Sequence, residues 1–111
     1  MPPADEFDYE ARLAALTRTY IATLPDKRAD LERLWTAACA DAAADETWQA
    51  LRTLAHRLSG SAPNYGFEAL GDAARALDAC LGGKTPCRDR AILTPLVMAL
   101  REALTAAGRP G

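Results

Sequence analysis

Apolar residues recur at spacings of three and four along most of the chain, which is the pattern of one-sided helices. The first stripe comprises Tyr9, Leu13, Leu16, Tyr20 and Leu24. It predicts a helix that Asp5 or Asp8 caps and that Pro25 ends, because proline lacks the backbone N–H of an interior turn. Pro25 can then open a second helix, which we expect to reach about Ala43. The apolar face of this second helix comprises Leu31, Leu34, Trp35, Ala38 and Ala42.

Two more helices are predicted in the middle of the chain. Asp45 is a good N-cap for the third helix, which should end at Ser61-Ala62 because the residue before Pro63 is biased away from helical angles. The third helix would bury Trp48, Leu51, Leu54, Ala55, Leu58 and Ala62. The fourth helix should run from about Phe67 to Leu81, since Gly82-Gly83 is a strong C-terminal stop. Its apolar stripe comprises Phe67, Leu70, Ala73, Ala74, Leu77 and Leu81.

The last helix has two possible starts, because Thr94 could cap it directly before Pro95, or it could begin near Asp89 and kink at the proline. We favour the earlier start, since Ile92 and Leu93 keep the phase of the later stripe. The buried set would be Ile92, Leu93, Leu96, Val97, Leu100, Ala103 and Leu104. With no segment of period two, the predicted fold class is all-α: an antiparallel four-helix bundle with an additional N-terminal helix. We expect a single domain over residues 1–111, frayed at 1–7 and 108–111.

Composition narrows the classes of partner. The 111 residues carry a net charge of −2 and contain no block of Lys and Arg, which argues against nucleic acid or an anionic membrane as a partner. No apolar run approaches the roughly 20 residues of a membrane span, and the start of the chain does not resemble a signal peptide. We therefore expect a cytoplasmic protein, and we separately expect it to be a monomer.

Three cysteines, Cys39, Cys80 and Cys87, form no Cys-x-x-Cys pair. Together with one histidine they are too few to predict a metal site, so we expect none. Cys39 and Cys80 lie near apolar faces and are expected to be buried, inert thiols. Cys87 falls in the loop after the fourth helix. Nothing else in the sequence supports a redox role.

His56 is the one histidine of the sequence, and the helical pattern turns it away from the core. At about 100° per residue it points about 130–140° from the middle of the apolar arc. Arg52 lies one turn before it, and Ser59 and Gly60 one turn after it, on the same side. Glycine within a helix costs about 1 kcal/mol relative to alanine, so Gly60 indicates a need for space beside the imidazole. The alternative is a plain surface histidine.

Two other motifs fail on their context. Gly83-Lys84-Thr85 matches the end of a phosphate-binding loop, but the first required glycine falls at Asp78 and the preceding segment is helical. A hydrolase triad that pairs His56 with Ser59 or Ser61 would need an orienting acid and an oxyanion hole, and an exposed helix offers no water-excluded pocket for them.

The segment from His56 to Gly66, HRLSGSAPNYG, closely resembles the signature of histidine-containing phosphotransfer (HPt) domains. That signature has a histidine, a variable residue, an apolar residue, commonly Lys or Arg, a glycine, two small residues, a variable residue, often Asn, an apolar or aromatic residue, and a glycine. The flanking segments Trp48–Ala55 and Phe67–Asp78 are also similar to family members. The resemblance covers roughly Arg12 to Leu104.

The resemblance implies a four-helix bundle that acts in a phosphorelay. His56 would accept a phosphoryl group from a receiver-domain aspartate of a hybrid sensor kinase and pass it to the receiver domain of a response regulator. The chain would be a phosphocarrier without kinase activity and without a cofactor, because Mg²⁺ would belong to the receiver domain. Gly60, Asn64 and Gly66 match positions of the family pattern and are candidate supporting residues.

Ser59 departs from the family pattern, which commonly has Lys or Arg three residues after the histidine. A basic residue there is placed to offset phosphoryl charge, whereas Ser59 offers only a hydrogen bond. Arg52 on the same face and Arg57 on the flank could substitute, or both could be solvated surface charges. An alternative function is a binding module of the same fold that regulates a receiver or kinase without carrying phosphate. A structural bundle with no signalling role is the third hypothesis.

Overall fold

The computed structural model describes residues 4–40 and 42–109, with side chains from residue 8 onwards. This part of the chain contains four α-helices: α1 (Ala4–Ala38), α2 (Asp45–Ser61), α3 (Glu68–Leu81) and α4 (Arg90–Ala107). A turn of 3₁₀ helix, Ala62–Tyr65, connects α2 to α3. Residues 4–40 and 42–109 include no strand and no helix long and apolar enough to cross a bilayer. The all-α prediction is confirmed.

Each helix packs against two others, α1 and α3 both lying between α2 and α4. The α1–α4 pair is antiparallel, because Arg28 donates to Thr105 at 3.2 Å and Arg101 pairs with Glu32 at 2.9 Å. Fully burying a leucine contributes about 1.5–3 kcal/mol, so the leucine core supplies most of the drive for this packing. Its largest fully buried side chains are Leu24, Leu31, Leu51, Leu58, Leu70, Leu77, Leu93, Leu100 and Leu104.

Pro25 lies inside α1 and does not separate two helices. The predicted break at this proline is wrong, and the expected additional N-terminal helix is the first part of α1. Proline removes one backbone hydrogen bond and costs about 3 kcal/mol in a helix interior. Leu24, Leu31 and Ala38, which are spaced by seven residues, are all buried on one face. Burial of that continuous face offsets the cost of the missing bond.

The N-terminal part of the first apolar stripe is uncovered, contrary to expectation. Tyr9, Leu13 and Leu16 are 67%, 44% and 56% exposed. The reason is geometric: α2 ends at the 3₁₀ turn, and Tyr20 is the first stripe residue that meets it. The Tyr20 ring stacks on Tyr65 with centroids 4.3 Å apart. Upstream of Tyr20, α1 has no helix opposite its apolar side among the described residues.

The break between α1 and α2 comes earlier than predicted. α1 ends at Ala38, and Ala42 is exposed with a left-handed φ of +58°, so it is not part of a buried face. Ala44 is the N-cap of α2 and makes no side-chain cap bond. Asp45 is therefore the first helical residue, where its charge suits the helix dipole.

The start of α4 follows the earlier of the two alternatives. Asp89 is the N-cap, and its carboxylate accepts a hydrogen bond from the Ala91 N–H at 2.9 Å. Pro95 lies inside the helix. Ile92, which we expected to be buried, is 51% exposed, because only the face that includes Leu93 meets the core in this first turn.

Candidate functional site

His56 projects from the fourth turn of α2 into solvent. Leu51, Ala55 and Leu58 hold the opposite face of the helix in the core, with at most 1% of each residue exposed. The His56 side chain is 72% exposed. The outward orientation that helical spacing predicted is therefore confirmed.

Asp78, in the last turn of α3, selects the tautomer of the neutral imidazole. Its Oδ2 lies 3.0 Å from Nδ1 of His56, and its Oδ1 accepts from Nε of Arg52 at 3.4 Å. A carboxylate can only accept hydrogen bonds, so Nδ1 must carry the proton of the neutral ring. The lone pair is then on Nε2, the nitrogen that Asp78 does not engage.

Arg52 links α2 to the end of α3. Its Nε pairs with Asp78, and a Cβ built on Gly82 would lie 2.6 Å from that same nitrogen. Only glycine fits there without displacing the guanidinium. Because Asp78 already balances its charge, Arg52 is engaged in positioning the carboxylate and is not an isolated cation beside the imidazole.

The turn of α2 after His56 is bare. A Cβ built on Gly60 meets nothing within 4 Å among the described residues outside its own helix backbone and chain neighbours. Ser59 turns away from the ring, since its hydroxyl donates to the His56 carbonyl at 2.7 Å. That back-bond to the helix occupies the one hydrogen that Ser59 could have offered to a phosphoryl group.

A shallow depression of about 210 Å³ lies beside the imidazole, lined by Arg52, Thr53, His56 and Arg57. Within residues 4–40 and 42–109, no ion pair or hydrogen bond involves the Arg57 side chain. Arg57 therefore differs from Arg52, because no carboxylate among the described residues balances its charge.

The family model of the Hpt domain matches residues 15–109. The chain belongs to the Hpt domain family. No curated protein and no solved structure matches it. Hpt domains are phosphocarriers of phosphorelays, in which they interact with receiver domains and kinases. The family suggested by the segment from His56 to Gly66 is thus confirmed.

Two further predicted site residues of this Hpt domain shape the turn after α2. Gly66 has φ +86° and closes the 3₁₀ turn through its N–H, which donates to the Pro63 carbonyl at 3.1 Å. Asn64 is exposed in the same turn. In the described part of the chain, no hydrogen bond joins either residue to His56. Their geometric role is to connect α2 to α3.

Asp78 is a site residue that the sequence pattern does not predict, because it lies off the apolar stripe of its helix and the pattern gives it no partner. The signal that could have found it is the α2–turn–α3 hairpin. Arg52 precedes Ala62 by 10 residues and Asp78 follows Tyr65 by 13, so an antiparallel pairing places them near the same end of the two helices. The described residues include no cluster of three or more potential metal ligands.

Proposed function

We propose that His56 accepts a phosphoryl group from the aspartate of one receiver domain and donates it to the aspartate of another. The observation that supports this most directly is the pairing of an exposed imidazole with the Asp78 carboxylate through Nδ1. In the neutral ring this pairing places the lone pair on the accessible Nε2, which is the requirement for a nitrogen nucleophile.

The transfer step follows from this arrangement. The Nε2 lone pair attacks phosphorus of the acyl phosphate, an N–P bond forms, and the P–O bond breaks with its electron pair leaving on the receiver aspartate. The proton stays on Nδ1, so the ring gains positive charge as the N–P bond forms. The Asp78 carboxylate, 3.0 Å away, stabilises that charge. The same step in reverse then transfers the phosphoryl group from Nε2 to the aspartate of a second receiver.

The bare surface around Gly60 supports close docking of a receiver domain over His56. Open space at Gly60 allows a second protein to approach without meeting a side chain on that turn. The charge of the moving group would be balanced by Mg²⁺ in the receiver, with Arg57 on the rim of the depression as the protein's own contribution. This chain then needs no cofactor or metal of its own.

The partners in this proposal are a hybrid sensor kinase, whose receiver domain supplies the phosphoryl group, and a response regulator, whose receiver domain takes it. Because all of the chemistry needs only one imidazole, a single copy of the chain is sufficient. We further propose that the chain acts as a cytoplasmic monomer, without kinase activity and without nucleic acid or membrane partners.

A phosphotransfer screen tests the proposal. The chain is mixed with each ³²P-phosphorylated receiver domain of the source organism, and label is followed over time. We expect acid-labile label on this chain with a cognate receiver and none with His56→Gln, whose helix content by circular dichroism should be unchanged because the side chain is exposed. Label that persists in His56→Gln would overturn the assignment.

A non-phosphorylated binding module is a second candidate, because the family commonly has a basic residue at position 59. Here the Ser59 hydroxyl is hydrogen-bonded to the backbone instead. The binding module predicts saturable binding of a receiver domain by isothermal titration with no label on the chain. Binding with the same affinity but with rapid labelling of His56 would exclude it.

A further inference from the structure

The loop after α3 brings two cysteines together. Gly82 N–H donates to the Asp78 carbonyl at 2.8 Å, and Gly83, with φ +76°, turns the chain back. Cys87 then donates its backbone N–H to the carbonyl of Cys80 at 2.9 Å. Cys39 and Cys80, which we expected to be buried, are only half-buried. Cys87 lies in the loop as expected, and the Gly-Gly turn returns that loop to the end of α3.

That hydrogen bond limits how far apart the two residues can be. Standard backbone dimensions put the carbonyl oxygen of Cys80 about 2.4 Å from its Cα and the nitrogen of Cys87 about 1.5 Å from its Cα. Added to the 2.9 Å bond, these give a Cα–Cα separation of at most about 6.8 Å. Disulfides span about 4.4–6.8 Å. The backbone hydrogen bond therefore keeps the two Cα atoms within the upper limit for a disulfide.

The two side chains are also accessible. Both cysteines are free, and both are half-buried against the leucine core, so neither is sealed from small reagents. Burial raises the pKa of the Cys80 thiol, and interaction with the Cys87 side chain raises it further. A raised pKa makes Cys80 a poorer nucleophile at neutral pH than an ordinary cysteine. Cys87, on the loop, is the better placed to react first.

We propose that Cys80 and Cys87 form a reversible dithiol–disulfide site that is oxidised by a small-molecule disulfide such as oxidised glutathione. The Cys87 thiolate attacks one sulfur of glutathione disulfide, giving a mixed disulfide and one glutathione thiolate. The Cys80 thiolate then attacks the Cys87 sulfur and releases the second glutathione. In total the protein loses two protons and two electrons, and two glutathione molecules are formed. The inference does not depend on phosphotransfer by His56.

The experiment equilibrates the full chain with graded ratios of reduced and oxidised glutathione, alkylates the remaining thiols and measures intact mass and tryptic peptides. We expect wild type to lose two of its three thiols and the mass of two hydrogen atoms, with Cys39 alkylated throughout. Dithiothreitol should restore all three thiols. Cys39→Ser should oxidise like wild type, whereas Cys80→Ser and Cys87→Ser should stop at a mixed glutathione disulfide or stay reduced.

Urea separates a site made by the fold from two cysteines that are merely close in sequence. In the folded chain we expect an equilibrium constant for disulfide formation at least about tenfold above that in urea, equivalent to about 30 mV. Equal constants in both conditions would overturn the proposal. So would a persistent glutathione adduct in wild type, a disulfide that includes Cys39, or covalent dimers.

Discussion

Replacing Asp78 by asparagine should slow phosphotransfer to His56 while leaving docking intact. The amide oxygen of Asn can still accept the Nδ1–H bond, so the tautomer that exposes Nε2 is kept. What is lost is the negative charge 3.0 Å from the ring, which stabilises positive charge as the N–P bond forms. The substitution therefore separates the charge of Asp78 from its hydrogen bond.

The exposure of the pair sets the expected size of the effect. A hydrogen bond to a charged group contributes about 1.5–3 kcal/mol, a neutral one about 0.5–1.5, and an exposed ion pair at most about 1. The Asp78 side chain is 18% exposed and that of His56 is 72%. We therefore expect Asp78→Asn to raise the barrier by about 1 kcal/mol, a roughly fivefold slower transfer. Asp78→Ala, which also removes the acceptor, should cost about 2 kcal/mol, or roughly 30-fold.

A single-turnover assay measures this directly. A phosphorylated cognate receiver is mixed with excess chain, the reaction is quenched at short times, and the rate of label transfer is compared with receiver affinity from titration. The matched control is Asp72→Asn, since Asp72 lies on the same helix and pairs with Arg75 at 2.9 Å away from the site. Wild-type rates in Asp78→Asn, or equal slowing in both variants, would refute the role of the Asp78 charge.

Other expected outcomes concern the fold and the surroundings of the imidazole. Gly60→Ala should raise the free energy of unfolding by about 0.5–1 kcal/mol in urea titrations, because its Cβ meets open space and alanine favours helix; a decrease would contradict the geometry at Gly60. Gly66→Ala should lower it by about 1–2 kcal/mol, since φ is +86° there, and an unchanged urea midpoint would show that the turn can rearrange. Closing the loop between Cys80 and Cys87, about eight residues, should stabilise the oxidised chain by up to about 2.5 kcal/mol on the chain-entropy estimate, to be measured as the difference between oxidised and reduced urea midpoints. Ser59→Lys should speed transfer into the chain in the single-turnover assay, because a cation one turn from His56 can meet the phosphoryl oxygens; a slower transfer would argue that the back-bond of Ser59 matters more than added charge.

The helices themselves could be predicted because their cause is local. Leu51, Ala55 and Leu58 repeat with the period of the helix, so their burial and the opposite orientation of His56 follow from the same geometry. The stop at Gly82-Gly83 and the positive φ of Gly66 were predictable for the same reason. Each depends on residues within a turn or two of its neighbours.

The continuity of α1 could not be predicted this way, because it depends on what lies opposite. A local rule places Pro25 at a helix boundary, and it fails because Leu24 and Leu31 are held on one face by α2 and α4. The apolar periodicity, which is also a local signal, predicts burial for Leu13 and Leu16, which lie beyond the end of α2 and are exposed. Periodicity identifies an apolar face but contains no information about whether another helix reaches it.

The chemistry of the site likewise depends partly on local sequence and partly on contacts between helices. That His56 faces solvent is a property of α2 alone, whereas which of its nitrogens is free depends on Asp78 from a different helix. Family resemblance directs attention to position 59, yet the Ser59 hydroxyl is bonded to the backbone and leaves the ring untouched. Because Asp78 also balances Arg52, a receiver that docks here meets a nearly neutral His56–Asp78–Arg52 group with Arg57 at its rim. Rapid transfer then requires the receiver and its Mg²⁺ to neutralise most of the phosphoryl charge, so transfer rates should vary with the receiver more than with the arginines of this chain.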